Sequence, residues 1–231
     1  MRLYHSPTSP YVRKVMVLLI ETGQTDAVTI VPATGTPVDA GSMPLAQNPL
    51  GKIPCLERDD GPALYDSRVI CRYLDDRAGG RLYPAPPRLW ETLTLEATGD
   101  GILDAAILMR YETHVRPPDK HFPDWAEGQW AKVARALRAL QARWMNHLSG
   151  PLHMRPIAVA CALGYLDLRF ADRNWRQGRD ALAAWYSGFA ARASMTATAP
   201  ASSSWRPIAP STFFTSTSIA ALVSGGKYLA A

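Results

Sequence analysis

Cysteine is scarce in this sequence, and its spacing excludes two kinds of site. The 231 residues include Cys55, Cys71 and Cys161 and no other cysteine. An odd number of widely separated thiols provides neither a disulfide framework nor the grouped ligands of a zinc site. We therefore expect three reduced thiols and no metal site.

Long apolar runs and clustered positive charges are also missing. The longest apolar stretch, residues 157–166, falls well short of the roughly 20 residues that a membrane-spanning helix needs. No apolar signal segment follows Met1, so a cytoplasmic location is expected. The net charge is +5, but the arginines are scattered beside acidic residues and form no basic run. The sequence therefore predicts binding neither to a membrane nor to nucleic acid.

The chain opens with the pattern of a strand, a helix and a second strand. Residues 2–5 and 27–31 have strand character. Between them, Ser9 and Pro10 open a periodic apolar segment that stops at Gly23. Serine before the first helical residue, proline at that residue and glycine beyond the end are typical of a helix.

The next pattern is that of a β-hairpin followed by a helix. Residues 53–58 and 62–65 flank an Asp-Asp-Gly turn, which is typical of a tight hairpin. Asp66 or Ser67 then caps a helix with one apolar face. The order βαβ and then ββα predicts an α/β thioredoxin-like domain over residues 1–80.

The remainder of the chain divides into a linker, a helical region and a tail. Residues 81–88 are rich in proline and predict a stiff linker. Residues 89–200 predict an all-α domain, because helical periodicity recurs at 89–115, 130–148, 156–170 and 180–192. The tail at 201–231 is atypical, with Arg206 and Lys227 as its only charges. We expect it to be either a poorly ordered extension or non-native sequence.

Ser9 stands at a strand-to-helix turn, which is a place to hold an anion. Its hydroxyl and the N–H groups of the first helical turn point into the same space. A thiol of pKa near 8.5 becomes mostly thiolate at pH 7 if its pKa falls by about 2 units, which requires about 2.7 kcal/mol of anion stabilisation. One charge-assisted hydrogen bond and a helix N-terminus together supply that. Alternatively Ser9 only caps the helix, and the other candidate donors nearby are Tyr4, His5, Ser6 and Tyr11.

The same loop contains no cysteine, which excludes another chemistry. Disulfide exchange of the thioredoxin type needs a cysteine of low pKa, usually in a Cys-x-x-Cys motif. Residues 8–12 read Thr-Ser-Pro-Tyr-Val. The loop therefore cannot perform disulfide exchange.

Three motifs, taken together, resemble those of the soluble bacterial glutathione S-transferases. They are residues 6–14 (Ser-Pro-Thr-Ser-Pro-Tyr-Val-Arg-Lys), 48–54 (Asn-Pro-Leu-Gly-Lys-Ile-Pro) and 66–67 (Asp-Ser), followed by an apolar helix at 157–167. The resemblance covers residues 1–200. It implies glutathione as co-substrate, no metal, conjugation of the thiol to a small apolar electrophile in detoxification, and a homodimer. A non-enzymatic glutathione-binding or regulatory protein of the same fold is the alternative.

The resemblance also implies which residues bind glutathione. Ile53 and Pro54 match a cis-proline dipeptide, in which the main chain of Ile53 pairs with glutathione like an added strand. Lys52 meets the glycyl carboxylate of glutathione or is simply solvated. Ser67 receives the γ-glutamyl carboxylate and Asp66 faces the amino group, or both only cap their helix.

Two further roles follow from the resemblance. Ser9 matches the residue that activates the thiol as a hydrogen-bond donor. Arg110 and Tyr111 lie on the helix against which the electrophile binds, although Arg110 could equally be a solvated side chain. One stretch departs from the family pattern, because residues 153–156 read His-Met-Arg-Pro where a Ser/Thr-x-x-Asp capping box is usual. We expect the loss of that box to cost about 1 kcal/mol of helix stability.

Overall fold

The computed structural model describes residues 1–200, so the tail predicted at 201–231 lies outside the described residues. A four-stranded sheet stands at the start of the chain, in the order β2-β1-β3-β4. The central strand β1 is parallel to β2 and antiparallel to β3, which is antiparallel to β4. The strands are β1 (Arg2–His5), β2 (Thr29–Pro32), β3 (Cys55–Arg58) and β4 (Gly61–Leu64).

Two helices complete this first part, and both begin as the sequence predicts. α1 (Pro10–Glu21) has Ser9 at its N-cap and a proline at its first residue, and α2 (Ser67–Arg77) has Asp66 at its N-cap. The α1 face toward the core carries the buried residues Val12, Val15, Leu18 and Leu19. The βαβ-ββα order confirms the predicted thioredoxin-like fold.

The chain after the linker is helical, which confirms the predicted all-α class. The helices are α3 (Arg88–His114), α4 (Pro123–Arg143), α5 (Met145–Leu148), α6 (Met154–Arg169), α7 (Asp180–Ala190) and α8 (Ala193–Ala197). The single helix predicted over 130–148 is wrong, because Trp144 leaves the helical backbone region and separates α4 from α5. The apolar face predicted for this segment is buried at Val133, Leu137 and Leu140.

α6 is the central helix, and α3 packs closely against it. Every residue from 154 to 166 is buried. Gly99 of α3 sits so near the α6 main chain that a β-carbon there would lie 2.9 Å from the carbonyl carbon and oxygen of Ala158. Gly99 thus sets the distance between the two helices, and through it the position of the α3 face nearest the site described below.

The start of α6 uses a main-chain contact in place of the missing capping box. No side chain caps the helix, as predicted, and the N–H of Met154 donates to the carbonyl of Leu82 at 2.9 Å. Leu82 lies in the linker, which α2 holds in place. The carboxylate of Asp75 accepts from the main-chain N–H groups of Arg81, Leu82 and Tyr83 at 3.1, 2.8 and 3.1 Å.

Within residues 1–200, no helix combines the length and apolar character needed to cross a membrane. The apolar stretch at 157–166 lies inside α6, where neighbouring helices cover it. Its hydrophobicity is therefore explained by its central place in the fold.

We predict that Gly99→Ala destabilises the protein by about 1–3 kcal/mol, because the added methyl overpacks the α3–α6 contact. Gly101 is the matched control: it lies two residues away in the same helix, and a β-carbon there meets no atom within 4 Å. Gly101→Ala should stabilise by about 0.5–1 kcal/mol, since alanine favours a helix interior. Urea unfolding of the three proteins measures both effects. Equal stabilities of the two variants would contradict the prediction.

Candidate functional site

The register of the sheet decides which strand ends lie together. β1 and β3 are antiparallel, with Tyr4 opposite Cys55. β3 and β4 are antiparallel, with Leu56 opposite Leu64. The C-terminal ends of β1 and β4 therefore flank the N-terminal end of β3, at one edge of the sheet.

The three sequence motifs meet at that edge. The loop of residues 6–9 follows β1, the Ile53–Pro54 dipeptide precedes β3, and residues 66–67 follow β4. Two helices, α1 and α2, begin at the same edge, with their N-terminal N–H groups directed toward it. The arrangement provides a peptide-like edge and two positive helix ends, which suits an extended ligand with negative groups.

Ser9 caps α1 and keeps a donor to spare. Its Oγ accepts from the N–H of Val12 at 3.3 Å, and its own N–H donates to the carbonyl of Ser6 at 3.1 Å. The cap uses Ser9 Oγ as an acceptor, so the hydroxyl can still donate a hydrogen bond to a ligand. The capping interpretation and the catalytic one are therefore compatible.

The two tyrosines near Ser9 already donate to carboxylates. The hydroxyl of Tyr4 donates to Glu57 at 3.2 Å, and the hydroxyl of Tyr11 donates to Asp104. Burial and then these carboxylates raise the pKa of both phenols. Neither tyrosine is as well placed as Ser9 to donate to a thiolate.

Residues 48–54 form a turn built around Asn48. Its buried side chain donates to the carbonyl of Lys52 at 2.7 Å and accepts from the N–H of Leu50 at 3.0 Å. Gly51 has a φ of +59°, a conformation that favours glycine. The Ile53–Pro54 peptide bond that follows is cis, and Lys52 is exposed. Asn48 opens the 48–54 motif but was not among the predicted site residues, and its place directly before Pro49 in a turn-forming stretch is the sequence signal that could have identified it.

Asp66 is both a helix cap and one member of an ion pair. Its carboxylate accepts from the N–H of Arg68 at 2.9 Å and from the Arg68 guanidinium at 2.7 Å. Burial opposes ionisation of Asp66, but the bonds from Arg68 outweigh it and lower the pKa of that carboxyl. Ser67 is buried as the first residue of α2. Arg68, which had no predicted role of its own, also lies 3.7 Å from Asp100.

Behind this edge lies a buried cluster of charges that joins both parts of the chain. Lys14 of α1 is fully buried, and its Nζ lies 2.8 and 2.9 Å from the oxygens of Asp100 and 3.2 Å from Glu96. The hydroxyl of Tyr83 donates to Glu96 at 3.0 Å. Burial raises the pKa of both carboxyls, and the charge of Lys14 opposes that rise. The cluster fixes α1 against α3 and, through Arg68, the start of α2.

The predicted electrophile residues lie on α3. Tyr111 and Arg110 are half-buried, and burial raises the pKa of Tyr111. A cavity of about 10 Å³ lies between Ser9 and Arg13 on one side and Tyr165 and Leu168 of α6 on the other. Burial raises the pKa of Tyr165 to about 12, and the charge of Arg169 together with its hydrogen bond to the phenol opposes that rise. Among residues 1–200, no group of three or more side chains could hold a metal ion.

Two family models of known proteins match this chain. Residues 8–77 match the family model of the glutathione S-transferase N-terminal domain, and residues 123–188 match that of the C-terminal domain. The chain belongs to the glutathione S-transferase family. The resemblance found in the sequence motifs is thereby confirmed, and glutathione is the ligand of similar solved structures.

Two relatives, one of them solved in two structures, show how far this transferase-family likeness extends. An uncharacterized GST-like protein of Escherichia coli K12, YibF, is 31% identical over 204 residues, which cover 87% of this chain and 98% of YibF. A glutathione transferase family member from Pseudomonas fluorescens Pf-5, solved with glutathione, is 49% identical with a TM-score of 0.84, covering 86% of this chain and 98% of that one. A second structure of a Pf-5 family member holds S-(propanoic acid)-glutathione and is 48% identical with a TM-score of 0.80, covering 87% and 99%.

We predict that Lys14→Met destabilises the protein by about 3–5 kcal/mol at pH 7, because Glu96 and Asp100 lose their buried cation. Without Lys14 the pKa of each carboxyl rises further, so protonation at lower pH neutralises them. The difference in free energy of unfolding between Lys14→Met and native protein should therefore become smaller as the pH falls from 7 to 5. Urea unfolding at several pH values measures this.

The control is Lys120→Met, which removes an exposed lysine from the turn before α4 and should change stability by no more than about 0.5 kcal/mol. A Lys14→Met deficit that is independent of pH would show that the loss comes from packing and not from the stranded carboxylates.

Proposed function

We propose that this protein is an enzyme, a glutathione transferase that holds glutathione as the thiolate and adds it to a small electrophile. The observation that carries the proposal is the convergence of Ser9, the Ile53–Pro54 dipeptide and residues 66–67 at one edge of the sheet. Each of the three is a place where one part of a γ-glutamyl peptide with a thiol could be held. We also propose a cytoplasmic location, where the glutathione pool is kept reduced.

In this proposal the hydroxyl of Ser9 donates a hydrogen bond to the thiolate sulfur and keeps its proton, and the N-terminus of α1 adds its positive dipole. The thiol proton leaves to solvent. The thiolate then forms a carbon–sulfur bond to the electrophile, and the leaving group departs with its electron pair or, in an addition, a proton is taken up. Ser9 is not the nucleophile.

Glutathione is held by main-chain and charged groups around the edge. Ile53 pairs with the peptide through its main chain, and Lys52 meets the glycyl carboxylate. Ser67 and the N-terminus of α2 receive the γ-glutamyl carboxylate, and Asp66 faces the amino group. Its low pKa keeps Asp66 negative for that purpose.

The alternative is a non-enzymatic glutathione-binding protein of the same fold. The Pf-5 family member favours the enzyme, because it is solved with S-(propanoic acid)-glutathione, a thioether of the kind that conjugation produces. If native protein binds glutathione but never exceeds the uncatalysed rate across several electrophiles, the alternative is correct.

We predict that Ser9→Ala lowers kcat/KM for an aryl halide roughly 10- to 100-fold, the worth of one hydrogen bond to an anion. The pKa of bound glutathione should rise by about 1–2 units, read from thiolate ultraviolet absorbance against pH. Ser9→Asp is the matched variant, because aspartate caps a helix as well as serine but repels a thiolate. Stability like native protein with activity as low as Ser9→Ala separates catalysis from capping, whereas an active Ser9→Asp contradicts the role.

We also propose a two-fold homodimer, supported by large apolar side chains exposed on α2 and α3. Trp90 is 62% exposed in the first turn of α3, and Val69 is exposed on α2. We predict that native protein has twice the mass of the chain in light scattering, and that Trp90→Glu shifts it toward the monomer. Phe122→Glu is the control, since Phe122 is 58% exposed but lies at the start of α4. A monomeric native protein would contradict the proposal.

A further inference from the structure

Tyr11 links the first turn of α1 to α3, close to the thiol loop. It is the second residue of α1 and stands two residues after Ser9. Its hydroxyl donates to the carboxylate of Asp104, a residue of α3 that lies 93 positions later in the chain. The bond therefore joins the part of the protein that contains the sheet to the helical part, at the end of α1 where the thiol of glutathione is proposed to lie.

This pair lies one helical turn outside the buried contact of Lys14. Lys14 follows Tyr11 by three residues, and its partner Asp100 precedes Asp104 by four, so each helix presents both of its residues on one face. Asp100 and Lys14 are buried, whereas Asp104 is exposed and Tyr11 is half-buried. The Lys14 contact therefore holds the second turn of α1 against α3, and the Tyr11 contact holds the first turn.

The first turn of α1 contains the groups on which thiol ionisation depends in the proposed function. Ser9 Oγ accepts from the N–H of Val12 at 3.3 Å, which is longer than the about 2.9–3.0 Å that is usual for such bonds. The cap by itself therefore restrains the serine hydroxyl only weakly. A donor stabilises an anion best when it is already in place before the charge forms. A further contact that restrains this turn thus affects the pKa of the bound thiol.

The charge of Asp104 cannot be what serves the proposed chemistry. A negative group near a thiol raises the pKa of that thiol, because it repels the thiolate. Asp104 is separated from the turn that contains Ser9 by no more than the side chain of Tyr11. A carboxylate at this place favours the thiolate only through the hydrogen bond that it accepts.

We propose, building on the function proposed above, that Tyr11 is a positioning residue for thiol ionisation. By binding Asp104, it holds the first turn of α1 in the geometry in which Ser9 and the free N–H groups of the helix face the thiolate. Tyr11 itself neither donates to the sulfur nor takes its proton. The role belongs to a contact between the two parts of the chain, beyond the loop that carries the thiol donor.

Two substitutions of Asp104 separate the hydrogen bond from the charge. Asp104→Asn and Asp104→Ala both remove the negative charge, but asparagine keeps an oxygen that can accept from Tyr11. The measurement is the pKa of the thiol of bound glutathione, read from thiolate ultraviolet absorbance against pH. We expect the ionisation constant of the thiol to be roughly three- to tenfold lower in Asp104→Ala than in Asp104→Asn.

Tyr11→Phe completes a double-mutant cycle. Added to Asp104→Asn, it should bring the thiol pKa to the value of Asp104→Ala, and added to Asp104→Ala it should change nothing, since the partner is already gone. Tyr73→Phe is the matched control, because Tyr73 of α2 also donates to an aspartate, Asp60, at 3.3 Å, but within the sheet-containing part. Tyr73→Phe should leave the thiol pKa at the native value.

A thioether distinguishes positioning of the donor from general loss of structure. S-Methylglutathione has no ionisable thiol, so its Kd in titration calorimetry should be the same for native protein, Tyr11→Phe and Asp104→Ala. In a Ser9→Ala background, Tyr11→Phe should shift the thiol pKa less than it does in native protein, because the donor that it positions is absent. If Asp104→Ala does not fold, judged by circular dichroism, Asp104→Asn with and without Tyr11→Phe gives the same comparison.

The outcomes separate this inference from the proposed function. Equal thiol pKa values in Asp104→Asn with and without Tyr11→Phe overturn the positioning role and leave the transferase intact. A Kd for S-methylglutathione that rises in parallel with the thiol pKa shows a general structural role and also overturns it. Glutathione bound as the thiolate without turnover of any electrophile overturns the transferase and leaves the positioning role. Failure to bind glutathione overturns both.

Discussion

The ion cluster around Lys14 is the interaction on which the site geometry depends. A fully buried ammonium is tolerated only because Asp100 and Glu96 surround it, and two buried carboxylates are tolerated only because Lys14 lies between them. Lys14 lies on α1 and both carboxylates lie on α3, so the cluster restricts movement of α1 relative to α3. Because Ser9 and Pro10 begin α1, the position of the candidate thiol donor relative to the helical wall follows from this buried contact.

Several side chains at the site serve two purposes. Arg68 pairs with Asp66 and approaches Asp100, so one side chain relates the cap of α2 to the buried charges. Ser9 offers a lone pair to its own helix and retains a proton for a ligand. Catalytic and structural roles are therefore not alternatives here, since the geometry that a helix cap needs is also the geometry that presents a donor to an anion.

The sequence was informative where the physical signal is local. Ser9 with Pro10 and Asp66 with Ser67 specify helix starts within a few residues, and these were placed correctly. The cluster of Lys14 was missed, because a lysine in an amphipathic helix normally predicts a solvated face and its partners lie some 80 residues away. The break at Trp144 was missed for a similar reason. The apolar spacing continues through it, and only the backbone shows the interruption. Which residues line the electrophile wall also depends on how α3 packs on α6, a contact without a local sequence signal.

The main-chain bond from Met154 to Leu82 has a consequence for how the chain holds together. A capping side chain belongs to the same segment as the helix that it caps, whereas this acceptor belongs to the linker and is positioned by Asp75 of α2. The first turn of the central helix is thus completed by the half of the protein that contains the sheet. Removing the linker would leave the N–H of Met154 without this acceptor, so the linker acts as a shared structural part and not as a tether.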